Sequence, residues 1–299
     1  MRGYYSPVPD QLGNESASGT PRSRTKEPND PRTLVTEADL RSEKIIIRRL
    51  SKGLNCSFLA EEAGIVLGKH GAIFRVVVDP LDGSINFAHG SLGLFGISIG
   101  VERLGKLVAG AIALPYFNEV VIATRGMGVF RASLTSSRVN SLRRVELSRP
   151  GRPAINLTSA RICLARGSAP AETMTRPPLS NVLAAANEAV NYASCVVALS
   201  SLILGRIDGL MIAKQRYWDF AAGFAILVEL GGVVGVWQHG WSRRLALSDL
   251  ASADPQSYYD IAATADPTLF CEIESCVTDS TRHHVRKKSH DRQSSRTSR

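Results

Sequence analysis

The segment FRVVVDPLDGS, residues 74–84, constrains the fold more than any other stretch of the chain. Its β-branched run reads as a buried strand, and it stops abruptly at Asp79-Pro80. Pro80 fixes φ and donates no hydrogen bond, so it stiffens the strand exit. Asp79 and Asp82 bracket Pro80-Leu81, and Gly83 lets the backbone pass close to a ligand. The residues after Gly83 are placed to open a helix, whose first amides lack internal partners and suit an anion. A buried strand ending in an acidic loop is a favoured place for a site. Taken alone, DPLDGS is equally an acidic β-turn.

Around this strand the chain alternates strand and helix patterns. TEADLRSEKIIIRRL, residues 36–50, reads as a helix capped by Thr36, with Asp39 in the capping-box position. SFLAEEAG gives a short apolar strand running into Glu61-Glu62. Residues 98–114 and 119–124 carry strand patterns, Gly126 and Gly128 mark a turn, and residues 129–131 continue as a strand. The polar, basic stretch 133–153 reads as a linker, and TRPPLS as a loop. Residues 191–204 read as an apolar helix, 207–213 as a strand, 220–230 as a helix closed by Gly231-Gly232, and 233–237 as a short strand. This alternation predicts α/β or layered α+β architecture. The expected organisation is an unfolded lead over 1–32, broken by five prolines, then halves over 33–150 and 151–281, and a basic disordered tail over 282–299.

Composition narrows the function classes. Hydrophobic residues make up 44% and charged residues 21% of 299, enough for a sizeable core. The net charge of +9 suggests nucleic acid until it is located: +6 lies in residues 282–299 and +1 in residues 1–32, which leaves +2 for the body. The tail has no aromatic residue to stack on bases, so a nucleic-acid partner is disfavoured and confined to that tail. No apolar run predicts a membrane span, and the N-terminus has no apolar signal region. The five cysteines, Cys56, Cys163, Cys195, Cys271 and Cys276, form no C-x-x-C pair. A reducing, cytoplasmic setting is the simplest reading.

Five acids stand out by position: Asp39, Glu61, Asp79, Asp82 and Asp219. Each has an ordinary reading. Glu61-Glu62 suits a solvated pair, Asp219 a helix N-cap, and Asp39 a helix surface. Their joint occurrence carries the argument. Carboxylates beside amides that bind an anion require cations between them, and Mg²⁺ is the first choice for oxygen ligands.

VVVDPLDGSINFAHG and YWDFAAGFAILVELGG resemble the two signatures of the inositol monophosphatase family of metal-dependent, lithium-sensitive phosphatases. VTEAD, Glu61-Glu62 and GRIDG fall at matching places, so the resemblance spans roughly residues 33–270. It implies an αβαβα sandwich, commonly a homodimer, that hydrolyses a small phosphorylated polyol or sugar with two or more Mg²⁺. On that resemblance Glu61, Asp79 and the Leu81 carbonyl match the ligands of one Mg²⁺, and Asp79, Asp82 and Asp219 those of a second. Gly83 and Ser84 match the amides that hold phosphate, and Asp39 with Ser84 matches the pair that polarises the attacking water. Ala193-Ser194 stands where the family has Gly-Ser or Gly-Thr, a change expected to be mild, and it faces the substrate. His89 reads as an accessory or surface residue.

Two departures from the family stand out, the first bearing on the substrate and the second on the fold or the dimer. Inositol-specific members carry an acid seven residues before the second-signature Asp, and here that position is Ile212, which accepts no hydrogen bond. Lys214, Gln215 and Arg216 lie nearby and suit another polar or anionic substrate, or simply an exposed loop. The lead, residues 1–32, also lacks the amphipathic helix that usually opens the family's fold. Inositol monophosphate is the default substrate that the resemblance implies, and Ile212 weakens it. Fructose bisphosphate, histidinol phosphate and phosphoadenosine nucleotides are alternatives, and so is a catalytically weak binding or regulatory protein.

Overall fold

The computed structural model describes residues 23–25, 34–91, 93–135, 138–146, 155–252, 254 and 256–278. The tail and most of the expected lead lie outside them. Within the lead, Ser23–Thr25 is a strand paired antiparallel with Leu34–Thr36, so this part of the lead is not unfolded.

An eight-stranded sheet takes its strands from residues 56–145. Its spatial order is Arg138–Val145, Gly128–Thr135, Glu119–Thr124, Lys106–Leu114, Gly96–Arg103, Phe74–Asp82, Cys56–Ala60 and Gly64–Val66. All neighbours are antiparallel except Cys56–Ala60 and Phe74–Asp82, which are parallel. A six-stranded sheet follows in the order Glu188–Val190, Arg161–Ala165, Gly209–Gln215, Tyr259–Thr264, Val233–Gln238 and Arg243–Leu245. Its first two pairings are parallel and the others antiparallel.

The two-residue period of the strands sorts side chains into layers. Val76 and Val78, with Cys56, Phe58 and Ala60, pack against Ile46, Ile47 and Leu50 of the helix Glu37–Gly53. Val77 and Leu59 belong instead to a central core with the helices Cys195–Ile203 and Tyr217–Glu229. The smaller sheet gives Cys163, Leu210, Ile212, Ile261 and Ala263 to that same core. Ile162, Leu164, Met211, Ala213 and Ala262 pack instead with Leu179 and Val182 of the helix Leu179–Ala185 and with Leu269 and Ile273 of a helix over 267–278. The layers therefore run helix, sheet, helices, sheet, helices, which is the αβαβα order.

Tyr217–Glu229 lies directly on the larger sheet. Phe220 and Phe224 are fully buried, each adding roughly 1.5–3 kcal/mol of transfer free energy. A Cβ on Gly110 would stand 2.4 Å from the Ala222 carbonyl oxygen, so glycine permits this close approach. Asp219, at the third position of this helix, lies near enough to Asp79 of the strand Phe74–Asp82 for their charges to interact.

Several sequence expectations change. The stretch 133–153 is no simple linker, because Arg138–Val145 pairs antiparallel with Gly128–Thr135. Arg138–Val145 is a sheet edge whose residues 142–144 are exposed, so it lacks the apolar alternation of a buried strand. TRPPLS is not wholly a loop, since Leu179 opens a helix. The apolar helix starts at Cys195 rather than Asn191, because Ala193 is left-handed and Ser194 caps the helix through its side chain. The next helix starts at Tyr217, three residues earlier than read, with Arg216 as its N-cap and Asp219 inside its first turn.

Candidate active site

The strand exit behaves as its composition dictates. Asp79 Oδ1 accepts the Leu81 amide at 3.0 Å and so closes a short turn around Pro80. Ser42 Oγ donates to the Pro80 carbonyl at 2.9 Å and ties the loop to the first long helix. Gly83 has φ of +85°, and a Cβ there would stand 2.7 Å from the Leu94 carbonyl oxygen. Both the dihedral and the space require glycine. Ser84 then opens the short helix Ser84–Ala88.

Ser84 Oγ lies 2.6 Å from Asp39 Oδ1 and 2.9 Å from the Leu81 carbonyl oxygen. A hydroxyl has one proton, and the shorter bond to the carboxylate takes it. Asp39 is 1% exposed, and its other oxygen accepts the Thr36 amide at 2.8 Å and the Thr36 hydroxyl at 2.5 Å. The expected helix-surface position of Asp39 is therefore a buried anchor behind Ser84.

A cavity of about 440 Å³ opens between the two sheets' ends. Its walls include Glu61, Asp79, Leu81, Asp82, Gly83, Ser84, Ala193, Ser194 and Asp219. Every candidate residue from the sequence lines it except Asp39, which stands one hydrogen bond behind. His89 and Lys214 are not on these walls. Lys214 lines a separate cavity of about 590 Å³ with Arg176 and His239, which lacks the carboxylate cluster.

The two halves of the chain meet at Asp82. Its Oδ2 accepts Ser194 Oγ and the Val196 amide, both at 2.6 Å, and the Gly83 amide also bonds to this carboxylate. Asp219 Oδ2 accepts the Arg216 amide at 2.8 Å, and Ser98 Oγ donates to the Trp218 carbonyl at 3.0 Å, pinning that helix start to the larger sheet. Asn86 was missed in the sequence. Its side-chain amide donates to the carbonyls of Leu94 at 2.7 Å and Tyr192 at 2.9 Å, holding the loop that leads to Ser194. Arg166 and Tyr258, also on the cavity wall, carried no sequence signal.

Electrostatics show what the cavity favours. Burial pushes Asp79 well above the usual carboxylate range, and the charges of Glu61, Asp82 and Asp219 add to it. Burial likewise pushes Asp82 up to about 6, against the opposing bonds from Ser194 and Val196. Clustered carboxylates resist ionising together unless positive charge enters among them. All these donors are hard oxygens, the set that Mg²⁺ takes. Among the described residues, no three Asp, Glu, His or Cys side chains already close around one point. The residues thus fit a divalent cation in donor type and charge.

The model of the inositol monophosphatase family matches residues 7–269. The chain belongs to this family. An inositol-1-monophosphatase of Mesorhizobium japonicum is 34% identical over 209 residues, covering 68% of this chain and 72% of that one. A Nus factor SuhB of Pasteurella multocida is 30% identical over 275 residues, covering 88% and 95%. Among solved structures, the extragenic suppressor protein suhB from Bartonella henselae superposes with a TM-score of 0.68 at 29% identity, covering 86% and 88%. Among the described residues of this family member, no helix is long and apolar enough to cross a membrane.

Two of its departures from the family pattern now have a physical reading. Ala193 adopts φ of +51°, the left-handed region where glycine sits without strain. The replacement of the family's glycine by alanine is therefore less mild than its size suggests. Ile212 does line the cavity, 2% exposed, so the wall there offers no acceptor.

Proposed function

We propose that the protein is a Mg²⁺-dependent phosphatase that hydrolyses a small phosphate monoester of a polyol or sugar. The observation that carries this reading is the convergence of four carboxylates, the Gly83–Ser84 turn and the Ser84–Asp39 bond on one cavity. Glu61, Asp79 and the Leu81 carbonyl would hold one Mg²⁺, and Asp79, Asp82 and Asp219 a second. Bound there, Mg²⁺ supplies the charge that offsets phosphate and acidifies the attacking water.

The chain's own residues do the rest. Ser84, with its proton committed to Asp39, has a lone pair free to take a hydrogen bond from water and orient it. Asp39 is held by Thr36 from behind, so its orientation is set before substrate arrives. The Ser84 amide, and the Gly83 amide when it leaves Asp82, would receive phosphate oxygens. No side-chain nucleophile is required, since positioning and electrostatics carry most phosphoryl transfers. Phosphate release that needs Mg²⁺ and stops in EDTA tests the reading.

A second reading has one observation in its favour. A relative of 30% identity that matches 88% of this chain is named a Nus factor. A role as a partner-binding factor would leave the cavity without turnover. A folded preparation that binds Mg²⁺ yet releases no phosphate from any monoester would favour it.

A further inference from the structure

We propose that Arg216 receives a second anionic group on the substrate's leaving alcohol, so that the preferred substrates are doubly anionic: phosphate monoesters that also carry a phosphate or a carboxylate. The inference rests on the hydrolytic reading above and names its substrate class.

Arg216 rests against aromatic rings. Its guanidinium carbon lies 3.5 Å from the centroid of the Tyr258 ring and 5.9 Å from that of Trp218. Lys214 Nζ also lies over the Tyr258 ring, at 4.6 Å. The Arg216 guanidinium has no ion pair among the described residues, and its Nη1 is buried without an acceptor. The side chain as a whole is half-buried, but a buried guanidinium nitrogen left without an acceptor is costly, and a natural structure that keeps one usually has a use for it. Arg216 and Arg166 both line the cavity, so a ligand entering it can supply the missing charge.

On the hydrolytic reading the scissile phosphate goes to the Gly83–Ser84 turn, which leaves Arg216, on the same cavity wall, for the rest of the substrate. The Arg216 amide bonds to Asp219, so Arg216 caps the helix that carries this carboxylate. Ile212, on the same wall, brings no negative charge that would neutralise Arg216 or repel an anion. A planar guanidinium fork suits a paired contact with phosphate or carboxylate. A neutral polyol would leave this charge unmatched.

The test uses the full chain with Mg²⁺ and three ligands: a hexitol 1-phosphate, the corresponding 1,6-bisphosphate and the corresponding aldonate 6-phosphate. The expected wild-type preference is for the doubly anionic pair, and the better of the two identifies the second anion. Arg216→Gln should raise the ratio of doubly to singly anionic KM by at least about ten-fold, and Arg216→Lys should restore part of it. A ratio that moves by less than about two-fold in both variants, or a wild type that prefers the hexitol 1-phosphate, overturns the proposal. Turnover of the hexitol 1-phosphate alone reports on the hydrolytic reading, because that ligand has no second anion. If turnover is absent, the same ratios measured as dissociation constants still decide the role of Arg216.

Discussion

Ser194 donates its hydroxyl to Asp82 across 2.6 Å, and through this bond the second half of the chain shapes a carboxylate of the first. The bond spans 112 residues of sequence and sits on the cavity wall. It ties Asp82, at the end of a strand of the larger sheet, to the N-cap of the helix Cys195–Ile203.

Removing charge from the cluster tests the metal assignment. Asp82→Asn and Asp219→Asn keep side-chain shape and should each lower kcat by more than about 100-fold without unfolding the chain. Circular dichroism checks the fold, and phosphate release checks the activity. Full activity in either pure variant contradicts the assignment.

Ser84→Ala should lower kcat by about 10²–10⁴-fold with a small change in KM, because the residue orients the attacking water rather than binding the alcohol. Ser84→Thr keeps the hydroxyl and should retain most of the rate. Steady-state kinetics of the two variants separate these outcomes.

The metal-free protein should lose stability as pH rises. Asp82 is pushed from 3.8 up to about 6 in the folded chain, and Asp79 is raised in the same direction. Between those values the folded state binds more protons than the unfolded state, so unfolding free energy falls with increasing pH. The contribution is fully present below the unfolded value and is lost through the folded one. Thermal unfolding in EDTA should show a midpoint that drops by more than about 3 °C between pH 4 and pH 7, and saturating Mg²⁺ should remove most of the drop. A flat profile in EDTA would count against buried, mutually repelling carboxylates.

Much of this was legible before the structure. The Val76–Val78 run predicted a buried strand, and Asp79 and Asp82 announced a site because they lie three residues apart at its end. Thr36 and Asp39 were readable as a cap, since capping is local in sequence. Contacts across large separations were not. Asn86 reaches Tyr192 over 106 residues, and no periodicity marks a side chain chosen for one distant carbonyl. The strand Arg138–Val145 was hidden because an exposed sheet edge keeps polar residues on both faces. The left-handed φ of Ala193 was equally invisible, because alanine does not advertise it as glycine would.

That last position makes its own prediction. Ala193→Gly should stabilise the fold by about 1 kcal/mol, the left-handed penalty less glycine's greater freedom when unfolded. Urea unfolding should show a higher midpoint with an unchanged slope.

The most direct test of the central claim is phosphate release from inositol 1-phosphate and a hexitol 1,6-bisphosphate by the purified chain, with Mg²⁺ and with EDTA. Release from at least one substrate that requires Mg²⁺ and disappears in EDTA and in Asp219→Asn is the predicted result. Release that persists unchanged in EDTA, or none from a folded protein saturated with Mg²⁺, would contradict the account.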